Sequence, residues 1–193
     1  MDKNKLWQIK NKKPIFKCKI MEVHSMDCHL PSKNISNEFI SMKMHDWVNV
    51  FAVTKENRVI MVKQHRLGGD IVTLEVPAGT IDENEDPAVA VERELREETG
   101  YTSQKIILLK EILVNPAIQS NRCYFYLALD CIKTSSTEFD ATEEIELSLF
   151  DLNEIFNSRT NNLIENSISL LSVMLAKDFL QENNKLQSEE VKK

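Results

Sequence analysis

No apolar run in this chain is long enough to cross a bilayer; stretches such as Ile106–Leu109 and Tyr124–Leu129 are strand-sized. The N-terminal segment MDKNKLWQIKNKKP has no apolar stretch behind its basic residues, so it does not read as a secretory signal, and a cytoplasmic protein is expected. None of the four cysteines, Cys18, Cys28, Cys123 and Cys131, forms a CxxC pair, and they are read as reduced thiols. A basic excess is also missing. The formal net charge is −6, whereas phosphate-backbone binders present a basic surface, so a nucleic-acid partner is not expected. Internal repeats are absent as well.

What is present fits one medium domain, or one domain plus a small appendage: 193 residues, 42% hydrophobic and 28% charged. From about Pro14 to Val53 short β-prone stretches alternate with turn residues: IFKCKIMEV, then HLPSKNISN as a connection, then EFISMKM and VNVFAVT. Glu56-Asn57-Arg58 reads as a hairpin turn into VIMVKQH, and Gly68-Gly69-Asp70 separates that strand from IVTLEV. KIILLKEILV, RCYFYLALDCI and IELSLF read as later strands. A short helix capped by Asp151 or Asn153 follows, then a longer one over about 162–180 and a charged tail over 181–193.

The clearest helix begins at Asp86, a good N-cap, with Pro87 at its first position, and ends at Gly100, suited to the left-handed residue after the last turn. Ala88, Val91 and Leu95 are expected to form its apolar face. Glu94, Glu97 and Glu98 project together from another side, because positions three and four apart on a helix are neighbours. Carboxylates so close repel one another, and a divalent cation removes the conflict. Mg²⁺, with Mn²⁺ as a substitute, suits hard oxygen ligands and is completed by water and substrate phosphate. A second acidic cluster at Asp140–Glu146 points the same way. Arg93, four residues before Glu97, can use its planar fork on those carboxylates and on Glu85 in the preceding loop. Gly79 is expected to permit a tight turn at which the Ala78 carbonyl becomes a further oxygen ligand. A solvated face with a Glu92–Arg96 pair would explain an arbitrary charge run, but not the full pattern. Gly79, Glu85, Arg93, Glu94, Glu97, Glu98 and Gly100 stand at fixed spacing, which chance would produce on the order of once in a million chains this long.

Segment Gly79–Tyr101 resembles the Nudix box at every fixed position. The resemblance implies an α/β fold with a mixed sheet sandwiched between helices, and Mg²⁺-dependent hydrolysis of a nucleoside diphosphate linked to another moiety. It implies metal-binding roles for Glu94 and Glu98, with Glu97 a further ligand or a proton acceptor, and structural roles in the box for Gly79, Glu85, Arg93 and Gly100. VKQHR followed by LEVPAG is similar to segments of ADP-ribose pyrophosphatases and related sugar-nucleotide hydrolases, which makes Arg66 the phosphate-binding candidate, with Glu75 beside it. A strand-end salt bridge between Arg66 and Glu75 is the plainer alternative.

Pro116 also sits where that subfamily tends to have proline, but its Ser-Pro-Gly is replaced here by Asn115-Pro116-Ala117. Asn115, Gln119 and Asn121 are then sugar-binding candidates or simple loop residues. Similarity to related enzymes assigns a catalytic glutamate to the loop before the last strand, and the segment EEIEL favours Glu143, then Glu144. Trp7 and Trp47 are candidates for base stacking, with plain packing the alternative for Trp47. His24, His29 and His45 lack metal-ligand spacing. The expected organisation is an N-terminal β extension over 1–46 that makes a homodimer, a catalytic domain over 47–180 and a flexible tail over 181–193. ADP-ribose or a related nucleoside-diphosphate sugar is the expected substrate. A GDP-mannose-type sugar, a dinucleoside polyphosphate, an RNA cap, or a module that binds nucleotide without turnover are the alternatives.

Overall fold

The structure, a computed structural model, describes residues 2–139, 144–157 and 162–190, with the side chains of the last helix described to Asn183. Strands β1 (Gln8–Lys17), β2 (Met21–Leu30) and β3 (Ile35–Met44) pair antiparallel in that order as a three-stranded sheet. The expected strand IFKCKIMEV is instead a hairpin bend: the Cys18 N–H donates to the Met21 carbonyl at 2.9 Å, and the strands run on either side. Every residue of β1 is exposed, so its lysine-rich sequence carries no apolar alternation to mark it. The connection between β2 and β3 shrinks to Pro31–Asn34, with Asn34 in the left-handed region at φ 49°. Segment Ile112–Cys123 belongs to this unit, which otherwise ends at Asp46. The Met42 N–H donates to the Ile118 carbonyl at 2.6 Å, and the Ser120 N–H returns to the Met42 carbonyl at 3.1 Å.

The second unit comprises Trp47–Glu111 and the chain from Tyr124 onward. Among the described residues its strands are β4 (Trp47–Thr54), β5 (Arg58–Arg66), β6 (Ile71–Glu75), β7 (Ala78–Thr80), β8 (Tyr101–Thr102), β9 (Lys105–Leu113), β10 (Arg122–Lys133) and β11 (Ile145–Asp151), of which Ile112 and Leu113 of β9 and Arg122 and Cys123 of β10 count with the first unit. They form one mixed sheet of order β11-β5-β4-β10-β8, with β6 on β5, β7 on β4 and β9 on β10. Among the described residues the helices are α1 (Pro87–Thr99), α2 (Leu152–Phe156) and α3 (Ser167–Glu190).

Side-chain alternation in the central strands explains the layering. On β4, Val48, Val50 and Ala52 face one core with Val91 and Leu95 of α1, while Phe51 and Val53 face another with Ile155, Val173 and Ala176 of α2 and α3. Ile60 and Met61 of β5, and Ala128 and Leu127 of β10, divide in the same way. Strands covered on both faces need apolar residues at successive positions, which is why VNVFAVT and VIMV read as runs. The α/β sandwich read from the sequence is therefore the observed architecture.

Two helices differ from expectation. On α1, Ala90 replaces Ala88 on the buried face, so Ala90, Glu94 and Glu98 form a row at four-residue spacing beside Val91 and Leu95. The last helix begins at Ser167 rather than near 162, because the Asn166 side chain caps it, accepting from the N–H groups of Ile168 and Ser169 at 3.0 Å each. It continues to Glu190, past the limit near 180 read from composition. Among the described residues no helix is long and apolar enough to cross a membrane. All four cysteines are free thiols, and burial pushes the Cys131 thiol up to about 11.

Gly100 ends α1 with φ 74°, its N–H donating to the Arg96 carbonyl at 2.7 Å. A Cβ there would overlap the Ser135 carbonyl oxygen. Gly100→Ala therefore combines a left-handed alanine with a backbone clash, and chemical denaturation should show a loss on the order of 2 kcal/mol or more.

Candidate active site

Arg93 organises the loop before α1. Its Nε and Nη2 donate to the two oxygens of Glu85, each at 2.9 Å, and Nη2 also reaches the Thr80 carbonyl at 3.0 Å. Its Nη1 donates to Glu94 Oε1 at 2.7 Å and to Glu97 Oε2 at 3.3 Å. Glu85 in turn accepts from the Asp82 N–H at 3.0 Å, which closes the loop on itself. The Arg93 hydrogen bonds hold the Glu85 carboxyl below the ordinary carboxylate range against a smaller opposing effect of burial, and the same pairing makes Arg93 more basic than usual. Arg93 thus ties Glu85 of the loop to Glu94 and Glu97 of α1.

Glu98 is the most deeply set carboxylate of the helix, at 3% exposure, and its Oε2 accepts from the Ala78 N–H at 3.0 Å. Glu94 has a side chain 13% exposed and points at Gly79, where any Cβ would fall on its carboxyl group. This corrects the expectation for Gly79. Its φ is not positive; it lies within β7, paired with Val48, and glycine is needed for close approach rather than for a tight turn. Ala78, whose carbonyl is the expected ligand, also meets the site through its N–H, which donates to Glu98.

Among the described residues no group of three or more His, Cys, Asp or Glu side chains is placed to hold an ion by itself. An incomplete protein ligand set is what Mg²⁺ uses when water and substrate phosphate supply the rest. Two carboxylates one turn apart, one of them almost fully buried and the other seated in a space that only glycine leaves, are hard-oxygen donors that fit such an ion.

Beside them lies a pocket of about 410 Å³ lined by Trp47, Asn49, Arg66, Glu75, Ala78, Gly79, Thr80, Asn166 and Ile168, among others. Its volume lies within the usual range for small-ligand sites. Arg66 grips Glu75 bidentately, Nε to Oε1 at 2.7 Å and Nη2 to Oε2 at 2.6 Å. The salt bridge considered for this pair is therefore present, and Arg66 lines the pocket at the same time, its side chain 45% exposed against 2% for Glu75. Burial pushes the Glu75 carboxyl up, but hydrogen bonds from Arg66 and Thr73, the charge of Arg66 and the Asn166 amide together hold it below its ordinary value.

Both depressed carboxylates make a pH prediction. A group whose folded pKa lies below the unfolded one stabilises the fold above the unfolded value and loses that contribution as pH falls through the folded value. For Glu75 and Glu85 the unfolded value is 4.5, so thermal midpoints should hold from neutrality to about pH 5 and drop steadily below 4.5.

The other candidates have their own surroundings in the chain. Asn115 and Pro116 belong to the first unit, where the Asn115 carbonyl accepts from the N–H groups of Ile118 and Gln119 at 3.1 and 2.7 Å; Asn121 of the same segment is buried. Trp7 packs edge-on against Phe39 at 4.9 Å between ring centroids. Glu143 lies outside the described residues, and Glu144 is exposed just ahead of β11. The loop leading toward them is tied to the end of α1: Thr134 and Ser135 donate to the Gly100 carbonyl, and the Glu138 N–H donates to the Glu97 carbonyl at 2.8 Å. Sequence reasoning missed Asn49, Thr80 and Asn166 as pocket residues. Only Asn166 carried a signal, as a good N-cap directly before a run of helix-forming residues.

The chain is similar to known proteins over most of its length. The chain matches the NUDIX domain over residues 43–170. It is 30% identical over 164 residues to an ADP-ribose pyrophosphatase of Bacillus subtilis (strain 168), covering 80% of this chain and 88% of the relative. A methanol dehydrogenase activator of Bacillus methanolicus is 29% identical over 160 residues, covering 82% and 86%. A crystal structure of an ADP compounds hydrolase superposes with a TM-score of 0.82 at 19% identity, over 92% of this chain and 95% of the other, a likeness of fold. Box, sheet and relatives agree: the chain belongs to the Nudix family.

Proposed function

We propose that this protein hydrolyses the pyrophosphate bond of ADP-ribose or a related nucleoside-diphosphate sugar in the cytoplasm. The observation that carries the reading is the adjacency of the Glu94–Glu98 carboxylates to a pocket lined by Arg66, a residue able to hold phosphate. Glu94 and Glu98, with Glu97 nearby, would hold Mg²⁺ or Mn²⁺, which when bound supplies charge neutralisation at the phosphate oxygens and acidifies water. Arg66 binds and orients a substrate phosphate, and Trp47 and Glu75 complete that wall of the pocket. Arg93 keeps Glu94 and Glu97 aligned. One of Glu97, Glu98, Glu143 and Glu144 takes the proton of the attacking water as its oxygen bonds to phosphorus and the bridging P–O bond breaks. From ADP-ribose the products are AMP and ribose 5-phosphate.

The test is release of phosphomonoester from a panel of ADP-ribose, GDP-sugars, dinucleoside polyphosphates and capped RNA, with and without Mg²⁺. Selective Mg²⁺-dependent cleavage of a nucleoside-diphosphate sugar is expected, and binding without turnover across the panel would refute the proposal. The N-terminal sheet is assigned to a homodimer. Its β1 is an edge strand, and Ile9, Ile15, Phe16 and Ile20 of this unit are each more than half exposed. Elution at twice the chain mass on calibrated gel filtration is expected, and a monomer would count against it.

A further inference from the structure

Asn166 has two ends with different work. Its Oδ1 is committed to the first turn of α3, accepting from Ile168 and Ser169. Its amide N–H groups are the donors that remain, and the residue lines the same pocket as Arg66 and Glu75. Glu75 is buried and is the partner that fixes the Arg66 guanidinium in one orientation by two parallel hydrogen bonds. A buried carboxylate has about four acceptor positions to satisfy, and Arg66 and the Thr73 hydroxyl fill only part of them.

We infer that Asn166 is a positioning residue for phosphate recognition: by donating to Glu75 it fixes the carboxylate that aims Arg66 into the pocket, and so ties the start of α3 to the substrate. The inference rests on the proposed role of Arg66 as phosphate ligand. The depressed ionisation of Glu75, to which Asn166 contributes, supports it. Because the cap holds the amide in place, little side-chain entropy is lost in keeping Glu75 and Arg66 aligned. Ordering the beginning of α3 and ordering the phosphate site are then one event.

The test separates the two ends of the side chain. Serine and aspartate both cap helices well, so Asn166→Ser and Asn166→Asp keep the cap and remove the amide N–H groups, serine leaving only a shorter hydroxyl and aspartate adding a negative charge near Glu75. Thermal midpoints of the Ser variant should stay near the parent. KM for the best substrate of the panel should rise roughly tenfold in Asn166→Ser and further in Asn166→Asp, with kcat little changed. Arg66→Lys keeps a cation for Glu75 but loses the fork, and should raise KM by itself. In that background, Asn166→Ser should add nothing if it acts through the arginine.

Each contrary result has its own meaning. If Arg66→Lys raises KM while both Asn166 variants leave it unchanged, the positioning role is overturned and the phosphate assignment stands. A full additive effect of Asn166→Ser in the Arg66→Lys background also overturns it, since the residue then acts independently. Should Arg66→Lys itself leave KM untouched, the phosphate assignment fails and this inference fails with it.

Discussion

Exchange of Glu98 for glutamine is expected to cut Mg²⁺-dependent turnover by at least about a hundredfold while leaving the fold in place, a loss at the upper end of that seen when even an outer partner of a metal site is removed. Glutamine has the shape of glutamate, and its carbonyl can still accept from the Ala78 N–H that Glu98 now engages. Removing a charge from a position 3% exposed also relieves a desolvation cost, so the thermal midpoint should not fall and can rise. What disappears is the negative charge on the inner side of α1. Activity and stability are thus expected to move independently. Phosphomonoester release as a function of Mg²⁺ concentration, alongside circular dichroism melts, measures both. An active Glu98→Gln protein would remove Glu98 from the site, whereas an unfolded one would show that its role is structural.

The box was legible because its chemistry is written in helical spacing. Asp86, Pro87 and Gly100 mark the ends of α1, and carboxylates at 94, 97 and 98 can share a side only on a helix. The central strands were legible for a related reason: burial on both faces leaves apolar runs such as those of β4 and β5. Strand β1 was not, since a fully exposed strand held by backbone pairing to β2 needs no apolar pattern. Gly79 shows a different limit. Sequence marks it as a glycine position but does not distinguish a left-handed turn from close approach by a side chain fifteen positions later in the chain, and only the fold brings Glu94 against it. Asn166 carried only a helix-cap signal; that it lines a pocket with Arg66 and Glu75 was hidden because those residues lie far away in sequence. The Arg66–Glu75 alternatives were posed as rivals, yet one geometry contains the ion pair and the pocket together.

Gly79→Ala is the second variant with a large expected effect, and it alters none of the ionisable groups. The added methyl falls on the Glu94 carboxyl, the far end of a flexible side chain, so the carboxyl should yield before the backbone of β7 does. Overpacking of this kind costs roughly 1–3 kcal/mol, which a folded domain tolerates. Function should suffer more. Displacing the carboxyl breaks its 2.7 Å contact with Arg93 Nη1 and misplaces one of the two inner carboxylates. Apparent Mg²⁺ affinity should fall by about 10- to 100-fold, and excess Mg²⁺ should restore part of the rate, because the charge is moved rather than removed. That recovery distinguishes the variant from Glu98→Gln, whose rate should stay low at any Mg²⁺ concentration. Shortening the displaced side chain by one methylene makes room for the methyl, so Gly79→Ala combined with Glu94→Asp should be more active than the sum of the single losses predicts. A Gly79→Ala enzyme with unaltered Mg²⁺ dependence would mean that Glu94 works from another position, and that the close approach to β7 has no part in catalysis.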